Sequence, residues 1–161
     1  MIADAGNSMT IAVGGTSELF NVGLLQANGG TLVVNANPAA IVGGYGPVQG
    51  IALITNHGTF EINNAYPSGF SGAFPTDGGS APYFIFGDAK SGDTLKIDQV
   101  KQFGGRILGF AQGDTIDIGT SLSVGSISFD GNTGILALEN ATGTILASLG
   151  TRSVWNSAAS G

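Results

Sequence analysis

Short stretches in which apolar and polar residues alternate recur along the whole chain. The clearest covers residues 92–98 and reads Gly-Asp-Thr-Leu-Lys-Ile-Asp. In a β-strand this alternation places Leu95 and Ile97 on one face and Lys96 on the other. The Gly and Asp before the strand are residues that favour turns. The pattern therefore predicts short strands, each with one buried face, separated by tight turns.

The unit returns at intervals that are typical of repeat proteins. Its anchoring threonines are Thr10, Thr31, Thr59, Thr94, Thr115 and a weaker sixth, Thr144. They are 21, 28, 35, 21 and 29 residues apart, within the range of roughly 20–50 residues found in solenoid repeats. A four-residue strand cannot bury its apolar face alone, but stacked coils form a continuous apolar column.

We therefore predict an all-β fold in which residues 1–161 form one β-solenoid domain, similar to a parallel β-helix or β-roll, with short coils. The side chains predicted to point inward are Leu32, Val34, Phe60, Ile62, Leu95, Ile97, Ile116 and Ile118.

Two segments depart from the repeating strand pattern. The stretch at about 65–80 is rich in Gly, Pro and aromatic residues and is predicted to be a loop excursion, and the tail over 151–161 is predicted to be frayed. Asp130-Gly131-Asn132-Thr133-Gly134 is interpreted as a tight hairpin turn.

Composition narrows the function. Glycine occurs 28 times in 161 residues, well above the usual share of roughly 7%, which fits a chain with many turns. The net charge is −6 with only five basic residues, so the basic surface that nucleic acids and anionic lipids require is missing. The chain has no cysteine, which excludes disulfides and thiolate metal sites. No apolar run approaches the ~20 residues of a spanning helix, so no membrane insertion is expected.

The second half of the chain carries a more specific pattern. Residues 103–118 read Phe-Gly-Gly-Arg-Ile-Leu-Gly-Phe-Ala-Gln-Gly-Asp-Thr-Ile-Asp-Ile. With their flanks, about residues 84–150, they resemble a repeat of large bacterial surface and autotransporter-type adhesins that reads F-x-G-x-I-x-G-F-x-x-G-D-T-I-D-L. The resemblance implies a right-handed parallel β-solenoid outside the cell or on its surface, with adhesive or structural duty and no catalytic residues.

The acids and the single histidine admit more than one interpretation. Asp93 and Asp114 precede strands, where a turn-forming Asp is expected, but acids on one face of a solenoid also occur in calcium sites and in glycosidases. Asp98 and Asp117 complete this set. His57 lies in a predicted turn and lacks the partners of a catalytic triad. The nonapeptide Gly-Gly-x-Gly-x-Asp-x-apolar-x of calcium-binding repeats is missing. We favour turn roles and predict no metal, no cofactor and no catalytic residue.

Five aromatic residues are the candidate contact residues: Tyr66, Phe70, Phe74, Tyr83 and Trp155. Aromatic rings stack on sugar rings, but they are also favoured anchors in protein interfaces. Packing or assembly is the interpretation we favour.

Together these observations predict a non-catalytic structural or adhesive segment of a secreted or cell-surface bacterial protein. With charged residues at only 10%, little protects its strand edges from association. The expected partner is the protein itself, either as a head-to-tail homo-oligomer that forms fibres or matrix, or through flanking repeats. Surface polysaccharide is a further possible partner. The alternative is a carbohydrate-binding or carbohydrate-active β-helix module.

Overall fold

In the computed structural model the described residues are 1–12, 23–35, 51–63, 83–88, 92–98, 100, 106–119, 122–130 and 132–152. They form thirteen strands and are all-β. The strands are β1 (Ile2–Asp4), β2 (Ser8–Ala12), β3 (Leu24–Asn28), β4 (Thr31–Asn35), β5 (Ile51–Thr55), β6 (Thr59–Ile62), β7 (Tyr83–Phe86), β8 (Thr94–Ile97), β9 (Arg106–Leu108), β10 (Thr115–Ile118), β11 (Ser126–Asp130), β12 (Ile135–Glu139) and β13 (Ile145–Arg152). Across this part of the chain, no helix is both long enough and apolar enough to cross a membrane.

The strands form two sheets. The large sheet has eight strands in the order β1-β3-β5-β7-β9-β13-β12-β11, and the small sheet has five in the order β10-β8-β6-β4-β2. From β1 to β10 the chain therefore alternates between the two sheets. Neighbouring strands in this part are parallel, as in the β4–β6 and β5–β7 pairs. The parallel order continues from β9 to β13, and then β12 and β11 complete the large sheet as antiparallel strands.

The small sheet keeps one register through its parallel pairs. Thr31, Thr59, Thr94 and Thr115 occupy equivalent positions in four successive strands. In β2, however, Ser8 aligns with Thr31, so the predicted anchor at Thr10 is wrong by two residues. A shift of two residues keeps the same side chains on the inner face, so alternation alone does not detect it.

The sixth predicted unit, at Thr144, is not a further coil. Thr144 precedes β13, which lies in the large sheet and pairs antiparallel with β12. The strands β11 and β12 form the antiparallel hairpin expected around residues 130–134, which confirms the predicted turn. The predicted tail at 151–161 is wrong at its start, because β13 extends to Arg152 and pairs with Leu108. Residues 153–161 and the predicted loop at 65–80 lie outside the described residues.

The core lies between the inner faces of the sheets. Of the eight side chains predicted to point inward, the first six are buried. Ile116 and Ile118 are half-buried, because β10 is the edge of the small sheet. Asp117 between them is exposed, as the register predicts. Phe60 of the small sheet meets Phe84 of the large sheet edge to face, with ring centroids 5.7 Å apart, which packs one sheet against the other.

Candidate functional site

The turn between β5 and β6 binds the carboxylates of Asp88 and Asp93, which lie between the next two strands of the chain, β7 and β8. Asn56 and His57 both have left-handed backbone conformations, with φ of 56° and 66°. Such successive residues direct neighbouring N–H groups to one side, where they favour an anion. The N–H of Asn56 donates to Asp88 Oδ2 at 2.9 Å, and the N–H of Gly58 donates to Asp93 Oδ1 at 3.0 Å. We call this arrangement of the turn and the two acids the acidic corner.

Asp93 is the most unusual residue of the acidic corner. It is completely buried, with 0% of its surface exposed, and no described residue forms a hydrogen bond with its Oδ2 atom. A buried oxygen of Asp88, Oδ1, also has no partner in the described part of the chain. Burial raises the pKa of Asp93 above its ordinary value, and the nearby negative charge of Asp88 raises it further. The N–H groups of Gly58 and His57 act in the opposite direction because they stabilise the charged form.

Asp114 occupies the corresponding place before the next strand of the small sheet. Its carboxylate accepts hydrogen bonds from Ala111 N–H at 2.8 Å and from Asp93 N–H at 3.3 Å. Asp93 and Asp114 therefore both bind backbone N–H groups at turns, which is the role expected from the sequence. Among the described residues, no three His, Asp or Glu side chains converge in a way that could hold a metal ion.

His57 lies in a turn, as predicted, and is exposed. Its ring lies against Gly92, where a Cβ atom would come within 3.0 Å of His57 Cδ2. Gly92 also has a φ of +117°, which side chains rarely adopt. The packing of the His57 ring and the backbone conformation therefore both favour glycine at position 92.

A second group of polar side chains connects three strands of the large sheet at their ends. Asn28 Nδ2 donates to Asp4 Oδ1 at 2.8 Å, and Asn28 Oδ1 accepts from Asn56 Nδ2 at 2.7 Å and from Thr55 Oγ1 at 3.2 Å. Hydrogen bonds between equivalent positions of adjacent strands hold the register of those strands. These amide and hydroxyl groups therefore stabilise the stacking of the strands.

The outer faces of the two sheets differ in polarity. On the small sheet, one outward row contains Thr10, Val33, Glu61, Lys96 and Asp117, and Lys96 Nζ lies 3.1 Å from Glu61 Oε1. On the large sheet, apolar residues occupy seven of the twelve outward positions from β1 to β9, and the other five are Asp4, Gln26, Asn28, Thr55 and Arg106. We call the apolar part of this surface the outer apolar face, and its members are Ile2, Leu24, Ile51, Leu53, Tyr83, Ile85 and Leu108. Of these, Ile2, Leu24 and Ile51 are exposed and the others are half-buried.

Tyr83 is the one predicted contact aromatic that the described residues include. It is half-buried on the outer apolar face, in register with Ile51 on one side and Arg106 on the other. The other four, Tyr66, Phe70, Phe74 and Trp155, lie outside the described residues. The alternating pattern used above does not predict the outer apolar face, although the sequence contains a signal for it. Uninterrupted apolar runs such as 51–54 and 83–86 leave both faces of a strand apolar.

Comparison with models of protein families, with curated proteins and with solved structures finds no match to this chain.

Proposed function

We propose that the chain is a two-sheet β-solenoid and that it serves as a non-catalytic structural or adhesive segment of a secreted or cell-surface bacterial protein. The observation that carries the proposal is the parallel register that runs through both sheets from β1 to β10. Each pair of an odd and an even strand, such as β5 and β6, supplies one strand to each sheet. Five such pairs follow one another, and at about 4.8 Å per strand they extend roughly 24 Å along the stack.

A structural role agrees with the way the polar groups are used. The hydrogen bonds of the acidic corner and of the Asp4–Asn28–Asn56 contacts stabilise turns and connect neighbouring strands. The outer apolar face remains accessible, and exposed apolar surfaces of this kind commonly mark interaction sites. We propose that this face is the adhesive surface, and that free strand edges permit self-association of the protein.

The location outside the cell rests on the resemblance of residues 84–150 to adhesin repeats. Intact cells of the native bacterium, treated with a protease that does not enter them, should lose the protein. A protein that stays intact on whole cells and is degraded only after lysis would contradict the proposed location.

Cross-linking tests the stacking order, and the chain is suited to it because it contains no cysteine. Thr59 and Thr94 are in-register neighbours, whereas Thr59 and Thr115 are two strands apart. A short thiol cross-linker should therefore join cysteines placed at 59 and 94 within one chain. It should not join cysteines at 59 and 115, which are about 10 Å apart. Equal yields for the two pairs would contradict the solenoid.

Adsorption tests the adhesive surface. Ile51→Ser removes an exposed apolar side chain from the outer apolar face, whereas Val33→Ser makes the same kind of change on the outer face of the small sheet. On an alkyl-coated sensor, Ile51→Ser should weaken adsorption several-fold and Val33→Ser should leave it close to the wild-type level. Equal losses, with both variants folded, would show that adhesion does not use this face.

Carbohydrate binding is the second candidate, and the position of Tyr83 favours it. An aromatic ring on the outward side of a sheet can stack on a sugar ring, and the neighbouring Arg106 is in register with it. Binding of soluble polysaccharide, measured by calorimetry, should survive Tyr83→Phe and be lost in Tyr83→Ser. If no polysaccharide binds the wild-type protein, this candidate is wrong.

A further inference from the structure

The strand β11 is an edge strand with an unusual exposure. Among the described strands it is the last one of the large sheet, and it pairs with β12 on one side only. All five of its residues are exposed. The N–H and C=O groups on the other side of such an edge can pair with another strand. Natural edges are commonly protected by Lys, Pro or a β-bulge, and the sequence of β11, Ser-Ile-Ser-Phe-Asp, contains neither Lys nor Pro.

The apolar side chains of β11 continue the core-facing side of the large sheet. Ile127 lies opposite Leu138, and Phe129 lies opposite Leu136. Residues directly opposite each other in an antiparallel pair share a face. Leu138 is only 1% exposed, whereas Ile127 and Phe129 are 62% and 52% exposed. The apolar surface of the sheet therefore extends one strand beyond the part that is covered.

We propose that β11 pairs antiparallel with β11 of a second copy of the chain, about a two-fold axis at Ser128. The proposal deepens the proposed self-association and rests on it. In this register Ile127 of one copy lies opposite Phe129 of the other, and the reverse pair follows from the symmetry. Aromatic and β-branched residues are a favourable cross-strand pair. The pairing covers two exposed apolar side chains of each copy and joins the two large sheets into one.

The charges on β11 are compatible with this pairing. Asp130 of one copy lies opposite Ser126 of the other, so no acid faces an acid. The Asp130 carboxylate accepts hydrogen bonds from Asn132 N–H at 2.9 Å and Thr133 Oγ1 at 2.8 Å within its own turn. Glu139 lies on β12, two strands from the partner's Asp130. That separation, about 10 Å, is comparable to the screening length at physiological salt.

The topology favours this two-fold contact over head-to-tail stacking of copies. Next to β9, the place that β1 of a following copy would take is filled by β13. Among the described strands, the large sheet extends by three strands beyond β9, whereas the small sheet ends at β10. A following copy therefore cannot continue both sheets at once, but β11 is free to pair with its own symmetry mate.

Two sets of variants of the full chain test the proposal. Ile127→Lys places a charge at the contact, and Ile145→Lys is the matched control, because Ile145 is 60% exposed but lies on β13 inside the sheet. Ser128→Cys places a single cysteine on the axis, where Cα atoms about 4.5–5.5 Å apart suit a disulfide. Thr142→Cys, in the exposed turn before β13, is its control.

Sedimentation velocity and non-reducing electrophoresis give the readout, with circular dichroism to verify that each variant is folded. We expect a wild-type dimer, loss of the dimer in Ile127→Lys, retention in Ile145→Lys, and a disulfide-linked dimer for Ser128→Cys but not for Thr142→Cys. If association persists in Ile127→Lys and Ser128→Cys forms no more disulfide than its control, the β11 contact is wrong and self-association through another surface stands. A wild-type monomer at all concentrations would overturn both.

Discussion

Replacing Asp93 by Asn tests whether the buried carboxylate of the acidic corner destabilises the fold. The amide oxygen of Asn can still accept the hydrogen bond from Gly58 N–H. The unpartnered Oδ2 atom is replaced by an uncharged donor, beside the negative charge of Asp88. We therefore expect Asp93→Asn to raise the free energy of unfolding at neutral pH.

The expected gain depends on pH in a defined direction. Burial and the charge of Asp88 raise the pKa of Asp93 in the folded protein above the ordinary 3.8. The folded state therefore binds this proton more tightly than the unfolded chain does. The contribution of Asp93 to stability is fully present below its ordinary pKa and is lost as the pH rises through its folded pKa. The difference between Asp93→Asn and the wild type should thus be small in acid and grow toward neutral pH.

The magnitude follows from the unpaired atom. A buried polar atom without a partner costs about 1–3 kcal/mol, and more when its group is charged. Asn removes the charge and offers the nearby Asp88 carboxylate a donor, so we expect the variant to gain about this amount at neutral pH. In a chain of this length, each kcal/mol corresponds to roughly 2–4 °C in the unfolding temperature. Urea titrations followed by far-ultraviolet circular dichroism, repeated from acid to neutral pH, measure both the gain and its pH dependence.

Two controls separate burial of charge from loss of hydrogen bonds. Asp93→Ala removes the acceptor for Gly58 N–H and should destabilise the fold at every pH. Asp114→Asn makes the same change at the equivalent turn, where both carboxylate oxygens are already bonded, and should be destabilising. If Asp93→Asn destabilises the protein by the same amount at every pH, the hydrogen bonds of the carboxylate outweigh the cost of its burial, and the reasoning is wrong.

Three further outcomes are expected from the structure. Phe60→Ala, which removes the buried ring packed against Phe84, should cost about 3–5 kcal/mol. Phe129 is exposed, so Phe129→Ala should cost under about 0.5 kcal/mol in conditions where the protein is monomeric. If urea titrations give equal losses of stability for Phe60→Ala and Phe129→Ala, the assigned core is wrong. Gly58→Ala places a Cβ atom 2.2 Å from the backbone oxygen of Ala27 and should cost about 3 kcal/mol. At Gly143 a Cβ atom meets no other atom, but the φ of +80° is unfavourable for alanine, so Gly143→Ala should cost about 1–2 kcal/mol. If Gly58→Ala costs less than Gly143→Ala, the turn at Gly58 is not as tightly packed as described. Thermal unfolding with calcium and with a chelator should coincide, because bound ions stabilise by mass action, and a fall of several degrees with chelator would reveal a metal.

Much of the small sheet is predictable from the sequence. Alternation of period two identifies Leu95 and Ile97 as buried and Lys96 as outward, and the turn roles of Asp93 and Asp114 follow from their place before strands. These features depend on residues close together in the chain. A unit anchored at Thr10 has Ile11 and Val13 as its alternating apolar pair, but Met9 and Ile11 alternate equally well. The pairing with β4 is what selects Ser8 as the equivalent of Thr31.

The large sheet is harder to predict, because its strands are apolar on both faces. Runs such as 83–86 indicate burial without saying which side is inward. The β13 strand shows a different limit. Its local sequence resembles the other units, but its pairing differs from theirs. It pairs in parallel with β9, which lies far from it in the chain, and antiparallel with β12.

The all-β class, the short strands, the turn residues and the inward positions of the small sheet are predictable from the sequence, because each depends on local backbone preference and on the two-residue period of a strand. The acids that meet at the acidic corner, the outward apolar face and the place where strand pairing stops depend on contacts between distant parts of the chain, and these become visible in the folded structure. Asp88 and Asp93 converge on Asn56 and Gly58 because the strands that follow both turns stack in register. Likewise, Ile127 is exposed while the identically apolar Leu138 is buried, because β12 has neighbours on both sides and β11 has one.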